Sequence, residues 1–306
     1  MIGIRQNSIR LFRFNGIDLF LHWSWFLVAA YEIGDRQSAY SSVTWNVLEY
    51  LALFLIVMLH EFGHALACRQ VGGVADQIVL WPLGGVAYVN PPQRPGAFLW
   101  SIAAGPLVNV ALVPILKVVG IMARSQGLAE SMPNAFQLLR SIAYINLGLL
   151  IFNLLPIYPL DGGQILRSLL WFVMGRARSL MAATIIGFLG VAGLIVLAVK
   201  SQSVWFGVMS AFILMNCWNG LQHARALLRL AKLPRQSAFS CPSCKTSPPL
   251  GDYWRCSTCQ KSFDTFQSQA VCPHCSTRYA TTGCLDCGRK YPMNEWAGSA
   301  LVPPAL

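Results

Sequence analysis

The pentapeptide His60-Glu61-Phe62-Gly63-His64 has the residue types and the spacing of a hydrolytic zinc site. Two histidines four residues apart lie on one face of a helix and can bind one metal ion, while the glutamate after the first can act as a general base. Alternatively, the histidines only form hydrogen bonds to neighbouring helices. That alternative leaves Glu61 unexplained, because ionisable groups are destabilising in an apolar segment. We therefore interpret His60 and His64 as metal ligands.

A catalytic zinc ion usually has three protein ligands and an open position, so a third ligand is needed. Asp161 is the best candidate, because it ends a stretch of prolines that follows an apolar run and precedes two glycines. Prolines end regular helix and glycines allow close backbone approach, which would present a carboxylate at membrane depth. Asp161 could instead cap a helix that starts at Gly162. The two roles are compatible.

The elements that position these residues are apolar. Hydrophobic residues make up 55% of the 306 residues and charged residues 11%, against roughly 25% charged residues in soluble domains. Hydropathy and helix length predict an all-α polytopic membrane protein with about six transmembrane helices. The predicted spans are residues 17–33, 46–70, 97–122, 136–155, 180–199 and 203–226.

The net charge of +11 does not require a nucleic-acid partner, because lysine and arginine in a membrane protein chiefly mark the loops that stay in the cytoplasm. Six crossings place both termini on one side. Basic residues are more numerous on that side, which predicts that both termini are cytoplasmic and that His60 lies toward the cytoplasmic end of its span.

The His-Glu-x-x-His motif within a span and the run Asn-x-x-Pro-x-x-Pro-Leu-Asp-Gly-Gly from Asn153 resemble the site-2 protease family of intramembrane zinc metalloproteases. The resemblance covers residues 15–230 and is closest to the compact group without a PDZ domain. That group includes sporulation proteases that process a membrane-tethered sigma-factor precursor. The resemblance implies that His60, His64 and Asp161 bind zinc, that Glu61 is the catalytic base, and that the substrate is a membrane protein in the lipid bilayer.

Two further segments fit this family. The run Gly105-Pro-Leu-Val-Asn109 resembles its Gly-Pro-x-x-Asn element, and residues 78–89, with Pro82, resemble its membrane-entering hairpin. Asn109 and Asn153 are candidates for substrate binding, as are Gly84 and Gly85, since a hairpin could pair with an extended substrate. The asparagines could instead only bond adjacent helices, and the glycines could only form a turn.

The polar C-terminal region contains eight cysteines in four Cys-x-x-Cys knuckles. The spacing is a strong zinc signal, and a cytoplasmic location favours zinc over disulfides. Consecutive knuckles suggest two zinc ribbons, although a cross-braced pairing of first with third and second with fourth stays open. Redox chemistry is the alternative. The expected ligands are Cys241, Cys244, Cys256, Cys259, Cys272, Cys275, Cys284 and Cys287.

The predicted organisation is a membrane-embedded metalloprotease domain at 1–234, a small β-rich tandem zinc-ribbon region at 235–291 and a flexible tail at 292–306. This organisation predicts one catalytic and two structural zinc ions. The ribbons are expected to dock a substrate or a cytoplasmic protein partner, and the modest charge of +3 on residues 235–306 argues against nucleic acid. Oligomerisation stays open.

Three other functions compete with an intramembrane protease. A catalytically silent membrane scaffold could recruit cytoplasmic partners through the zinc ribbons, but it would not need a hydrolytic site. A zinc peptidase with a downstream glutamate ligand is disfavoured, since Glu130 and Glu295, the only later glutamates, lie in a loop and in the tail. A metal transporter would need more acidic or histidine residues along its pathway.

Overall fold

The computed structural model describes residues 8–35, 40–81 and 84–296. The first elements are strands β1 (Ser8–Phe14) and β2 (Ile17–His22), helices α1 (Ser24–Asp35) and α2 (Val43–Gln70), and strands β3 (Val74–Trp81) and β4 (Gly84–Asn90). Then come helices α3 (Pro95–Ser125), α4 (Leu128–Ser131), α5 (Pro133–Leu154), α6 (Asp161–Met174), α7 (Arg176–Ser201) and α8 (Val204–Ala231). Pro82, part of the predicted hairpin, lies outside the described residues.

Within the described residues, five helices are long and apolar enough to cross a membrane: α2, α3, α5, α7 and α8. They contain 22 to 31 residues, which corresponds to about 33–46 Å and exceeds the ~30 Å apolar thickness of a bilayer. These helices match the second to sixth predicted spans. The predicted polytopic helical class is therefore confirmed.

The first predicted span, residues 17–33, has a different structure. Its first part is strand β2, and the helix that follows has only 12 residues, about 18 Å. The local reason is the Asn15-Gly16 pair, in which both residues have positive φ angles of 46° and 73°. Such a pair forms a tight hairpin turn that matches strand twist. The prediction that both termini share one side depended on six crossings and stays a prediction.

The four strands form one sheet in the order β1-β2-β3-β4, in which β2 and β3 are parallel and the other pairs are antiparallel. The predicted hairpin is confirmed as β3 and β4. Apolar residues of β2 and β3, including Leu19 and Ile78, pack on Phe62 and Ala65 of α2. The sheet thus covers the same helix that contains both histidines predicted to bind metal.

Arg69 fixes the end of α2 to both hairpins. Its Nε donates to the carbonyl oxygen of Ala75 at 2.8 Å, and its guanidinium also donates to the carbonyl oxygens of Asn15 and Gly16. One side chain therefore satisfies backbone acceptors on the β1–β2 turn and on strand β3 that would otherwise need water.

The loop before Asp161 lies in a notch of small residues on α7 and α8. Ile157 contacts Gly190, and Tyr158 lies over Gly187 and Gly220, where an added Cβ would approach neighbouring atoms within 2.4–2.8 Å. The thiol of Cys217 donates to the carbonyl oxygen of Tyr158 at 2.9 Å. The two helices thereby position a loop whose next residue is a metal-ligand candidate.

The chain divides into two compact units: one ends at Gly220, and the other begins at Leu221 and includes Pro92–Arg94. In the second unit, strands β5 (Trp254–Arg255) and β6 (Ser262–Phe263) form one small hairpin, and β7 (Thr282–Gly283) and β8 (Lys290–Tyr291) form another. The small β-containing region is thus observed. The predicted flexible tail overlaps helix α9 (Met293–Trp296), whose Trp296 is fully buried, and residues 297–306 lie outside the described residues.

A pair of glycine substitutions on α7 tests the notch. We expect Gly190→Ala to lower the free energy of unfolding by about 1–3 kcal/mol, because its Cβ would lie 2.4 Å from Ile157 Cγ1. Gly193→Ala is the matched control, since nothing lies within 4 Å of its added Cβ, and alanine favours helix by up to about 1 kcal/mol. Denaturant unfolding in detergent measures both. Equal stabilities of the two variants would contradict the described packing.

Candidate metal centre

Three side chains converge where α2 faces the start of α6. His60 and His64 are one turn apart on α2, and Asp161 is the first residue of α6. His60 Nε2 lies 3.0 Å from Asp161 Oδ2 and 3.1 Å from His64 Nε2, and His64 Nε2 lies 3.4 Å from the same carboxylate oxygen. The side chains of both histidines are 7% exposed and that of Asp161 is 13% exposed. The structure therefore brings together the three residues predicted to bind zinc.

Hydrogen bonds behind the two imidazoles determine which nitrogen faces the centre. His64 Nδ1 lies 2.9 Å from the carbonyl oxygen of Ser101, which can only accept, so Nδ1 carries the proton. His60 Nδ1 lies 2.6 Å from Asn109 Oδ1. In the neutral form, each ring then directs the lone pair of Nε2 toward Asp161. Metal-binding histidines are commonly oriented by such partners.

The orientation of Asn109 follows from a second buried asparagine. Asn146 Nδ2 donates to the backbone carbonyl oxygen of Asn109 at 3.1 Å, so its Oδ1 is available to accept from Asn109 Nδ2 at 2.8 Å. Asn109 Oδ1 is then the atom that faces His60. Both asparagines are fully buried, and these bonds satisfy amide groups that would otherwise be destabilising in an apolar interior. Helix α5 thus contributes to the centre without supplying a ligand.

The donor set and its spacing fit zinc. A tetrahedral ion with bonds of about 2.0–2.1 Å to nitrogen and oxygen has ligand atoms about 3.3–3.4 Å apart. The observed separations are 3.0, 3.1 and 3.4 Å. Two imidazoles and one carboxylate are a known ligand set of catalytic zinc, which leaves a fourth position open.

A glycine allows the third helix to approach the centre. A Cβ added to Gly105 of α3 would lie 2.2 Å from His64 Nε2 and 2.8 Å from His60 Nε2. Any larger residue would therefore occupy space beside the donor atoms. The sequence resemblance included this glycine, but its role at the centre becomes visible only when α2 and α3 are packed.

Glu61 lies between the two histidines in sequence and three residues before His64, a spacing that makes residues neighbours on a helix surface. It is 6% exposed. A buried ionisable residue within a candidate membrane span is expected to be functional.

The residues predicted to bind substrate are in different surroundings. Asn109 is placed behind His60, where it orients a ligand, and its predicted contact with substrate stays a prediction. Asn153 is half-buried near the end of α5 and makes no side-chain hydrogen bond to another described residue. Gly84 and Gly85 pair with Trp81 and Leu80 at the start of β4.

The eight cysteines of the second unit form two clusters, but neither predicted pairing is correct. The first knuckle lies with the fourth, and the second lies with the third. Consecutive and cross-braced pairings are both excluded by the sulfur positions, because the sulfurs of the first knuckle lie 3.7 Å from those of the fourth and the sulfurs of the second lie 3.5–3.7 Å from those of the third. The clusters are Cys241, Cys244, Cys284 and Cys287, and Cys256, Cys259, Cys272 and Cys275.

Two residues that orient the centre were not predicted from the sequence. Asn146 is a polar residue in an apolar span, which was a usable signal, but its partner could not be identified without the helix arrangement. Ser101 contributes through its backbone carbonyl oxygen, and its identity therefore gives no signal.

Substitution of Gly105 should remove metal. We expect Gly105→Ala to abolish stoichiometric zinc binding at the centre, because the methyl group would overlap both donor nitrogens. Gly120→Ala is the matched control on the same helix, with nothing within 4 Å of its added Cβ. Zinc content of the purified proteins is the measurement, with cysteine-bound zinc counted separately. Undiminished zinc in Gly105→Ala would exclude the described approach of α3.

Loss of the acceptor behind His60 should weaken zinc binding without abolishing it. We expect Asn109→Leu to reduce zinc affinity by about 10–100-fold, the usual effect of removing an orienting partner. Asn109→Asp retains an oxygen acceptor and should bind zinc more tightly than Asn109→Leu. Chelator competition measures the affinities. Equal affinities of the leucine and aspartate variants would contradict an orienting role.

Comparison with known proteins finds zinc metalloproteases that resemble this chain. The model of Peptidase family M50 matches residues 49–141 and 115–197, which include all three candidate ligands and Glu61. Zinc metalloprotease MJ0392 of Methanocaldococcus jannaschii is 37% identical over 180 residues, which cover 59% of this chain and 50% of that protein. Stage IV sporulation protein FB of Bacillus subtilis is 32% identical over 136 residues, which cover 42% of each protein. The chain spans about half the length of these relatives.

A solved structure has the same fold. The site-2 protease from Methanocaldococcus jannaschii superimposes with a TM-score of 0.52 and 29% sequence identity, over 70% of this chain and 95% of that one. Its likeness, the family match and the five candidate spans identify an integral membrane protein. The chain thus matches the model of Peptidase family M50 and shares its fold with a site-2 protease.

Proposed function

We propose that this protein is an intramembrane zinc metalloprotease that hydrolyses a peptide bond in or near a transmembrane segment of another membrane protein. The observation that carries the proposal is the convergence of His60 Nε2, His64 Nε2 and Asp161 Oδ2 within 3.0–3.4 Å, next to Glu61. The match to Peptidase family M50 and the zinc metalloproteases among the relatives support it.

His60, His64 and Asp161 would hold the zinc ion. Bound zinc in a three-ligand site supplies Lewis acidity, which activates water as a nucleophile and polarises a carbonyl group. Asn109 and the Ser101 carbonyl oxygen keep both imidazoles in the tautomer that binds metal through Nε2. The protein thereby holds its ligands in one geometry before substrate binds.

Glu61 would be the general base. Its carboxylate accepts a proton from the attacking water and passes that proton to the nitrogen of the leaving amine, so that no covalent acyl-enzyme is formed. The position one residue after His60 supports this role, since it places the carboxylate on the same turn of α2 as a ligand.

Substrate would bind as an extended chain. A transmembrane helix satisfies its own backbone groups, so it must unwind before a carbonyl can be attacked, and the freed groups need new partners. Strand β4 pairs on one side with β3 and is an edge of the described sheet. Main-chain pairing with β4 near Gly84 and Gly85 would supply these partners, and the amide of Asn153 is available to bind substrate.

The second unit would face the cytoplasm. Thiols are kept reduced there, which favours metal binding by clustered cysteines, and all eight are free thiols in the structure. A docking site for a substrate or a cytoplasmic protein partner is the function we assign to this unit. An oligomeric assembly of the membrane unit is compatible with this arrangement.

The decisive substitution is Glu61→Gln. With a membrane-tethered peptide substrate, we expect at least about a 10²-fold fall in kcat, the lower range for loss of a general base. Zinc content should be unchanged, because the three ligands are retained. Glu130→Gln is the control: the same chemical change at an exposed position on α4 should leave cleavage intact.

Chelation provides a second arm of this experiment. Removal of zinc should stop cleavage by the unmodified protein, and added zinc should restore it. Cleavage that persists both in Glu61→Gln and after chelation would refute the proposed mechanism. Unchanged membrane-protein fragments in cells that produce the unmodified or the Glu61→Gln protein would instead favour a scaffold.

A further inference from the structure

The four Cys-x-x-Cys knuckles of the second unit share one backbone turn. In each, the amide four residues after the first cysteine donates to that cysteine's carbonyl oxygen, and the first cysteine's amide donates to a carbonyl oxygen five residues on. The residue after the second cysteine has a positive φ angle of 58–75° in all four. In chain order, the knuckles are Cys241–Cys244 (knuckle 1), Cys256–Cys259 (knuckle 2), Cys272–Cys275 (knuckle 3) and Cys284–Cys287 (knuckle 4).

The left-handed conformation is strained for residues other than glycine, so its repeated use indicates a structural role. Lys245, Gln260 and Ser276 adopt it in knuckles 1 to 3, although only glycine does so without strain, and Gly288 adopts it in knuckle 4. Three non-glycine residues in the same position make an accidental turn a poor explanation. The turn holds both sulfurs of each knuckle on one side of the backbone, where they can bind the same metal ion.

Sulfur separations identify the partners. Cys241 and Cys244 lie 3.7 Å from Cys287 and Cys284, respectively. These separations are too long for a disulfide, whose sulfurs are about 2.0 Å apart. They match the edge of a tetrahedral thiolate site, which is about 3.8 Å for bonds of about 2.3 Å.

The inner knuckles give the same result. Cys256 Sγ lies 3.5 Å from Cys275 Sγ, and Cys259 Sγ lies 3.7 Å from Cys272 Sγ. The Tyr279 hydroxyl donates to Cys256 Sγ at 3.0 Å, a contact that favours the charged thiolate. Four soft sulfur donors in a tetrahedral arrangement select zinc over calcium or magnesium.

We propose that the second unit holds two structural zinc ions in nested sites: an outer site formed by knuckles 1 and 4 and an inner site formed by knuckles 2 and 3. This assignment goes beyond the proteolytic centre and does not depend on it. Nested pairing means that the inner site, with its hairpin β5–β6, is an insertion within the segment that the outer site closes.

A shared aromatic core connects the two sites. Trp254 packs against the cysteines of both clusters, and its Nε1 donates to the carbonyl oxygen of Gly283 at 2.9 Å, one residue before knuckle 4. Phe266 packs with the outer cluster, and Phe263 packs with the inner one. In a unit this small, the metal ions would supply much of the folding free energy.

The outer site is also fixed to the end of helix α8. Arg235 binds both carboxylate oxygens of Asp286, at 2.6 and 3.2 Å, and Asp286 lies within knuckle 4. The same guanidinium donates to the carbonyl oxygen of Leu230 at 3.0 Å, near the end of α8. Closure of the outer site therefore holds knuckle 4 against the last turn of the helix.

Loop lengths predict the order of assembly. Cysteines whose sulfurs face each other in the inner cluster are 13 and 19 residues apart in sequence, whereas those in the outer cluster are 40 and 46 residues apart. Closing a longer loop loses more chain entropy, and a formed inner site shortens the flexible part of the outer loop. The inner site should therefore bind metal first.

Cobalt-loaded full-length protein tests the pairing, with serine in place of the four cysteines of two knuckles at a time. Only thiolate sites give a sulfur-to-cobalt charge-transfer band, so the histidine-carboxylate centre does not contribute. We expect the variants lacking knuckles 1 and 4 or knuckles 2 and 3 each to retain half of the band. The variant lacking knuckles 1 and 2 should lose it entirely. Half of the band in that variant, or no band in the unmodified protein, would overturn the proposal.

A second measurement uses the unmodified chain and does not depend on the folding of variants. Zinc is withdrawn in steps with a chelator, exposed thiols are alkylated, and peptide mapping identifies which cysteines become reactive together. We expect knuckles 1 and 4 to become reactive as one group before knuckles 2 and 3. Joint reactivity of knuckles 1 and 2, or of knuckles 1 and 3, would refute nested pairing.

Discussion

The candidate metal centre depends on the orientation of two imidazoles by acceptors that belong to another helix. Both acceptors, the Ser101 carbonyl oxygen and Asn109 Oδ1, are supplied by α3, so α2 and α3 must approach closely and in one register. Gly63 and Gly105 permit this approach: an added Cβ on Gly63 would lie 2.7 Å from the Ala104 carbonyl oxygen. Small residues at a helix crossing therefore contribute to the geometry of the candidate metal centre as well as to packing.

This constraint extends outward through buried polar groups. Asn146 on α5 fixes Asn109, while the Ile157–Tyr158 loop, seated on α7 and α8, brings Asp161 to the same point. Each of these contacts satisfies a polar group or fills a notch in an apolar environment, where an unmatched group would be destabilising. Helices without a ligand consequently contribute to the geometry of the centre.

Local motifs predicted much of this arrangement, because the chemistry of a short segment constrains its own geometry. The spacing of His60 and His64 along a helix predicted that both could bind one metal ion. Asp161 was predicted as the third ligand because it comes directly after a proline-rich break. The apolar run at 17–33 was misleading, since strand β2 is buried on a sheet and is therefore as apolar as a span. The Asn15-Gly16 turn was the signal that distinguished the two.

Tertiary relations were not predictable in the same way. Four equivalent knuckles can pair in three ways, and their spacing does not choose among them. The choice lies in side chains such as Trp254, which contacts both clusters only after the chain has folded back. The role of Asn146 was not predictable for the same reason, because it depends on a hydrogen-bond partner on another helix.

Nested connectivity has a consequence for synthesis of the chain. Every cysteine of the inner cluster has been translated once Cys275 is added, whereas the outer cluster is complete only when Cys287 follows roughly 12 residues later. At about 5–20 residues per second, that interval is on the order of one second. The cysteines of the outer cluster are therefore the first and the last of the eight to be synthesised, so the outer site would be the last to have all its ligands.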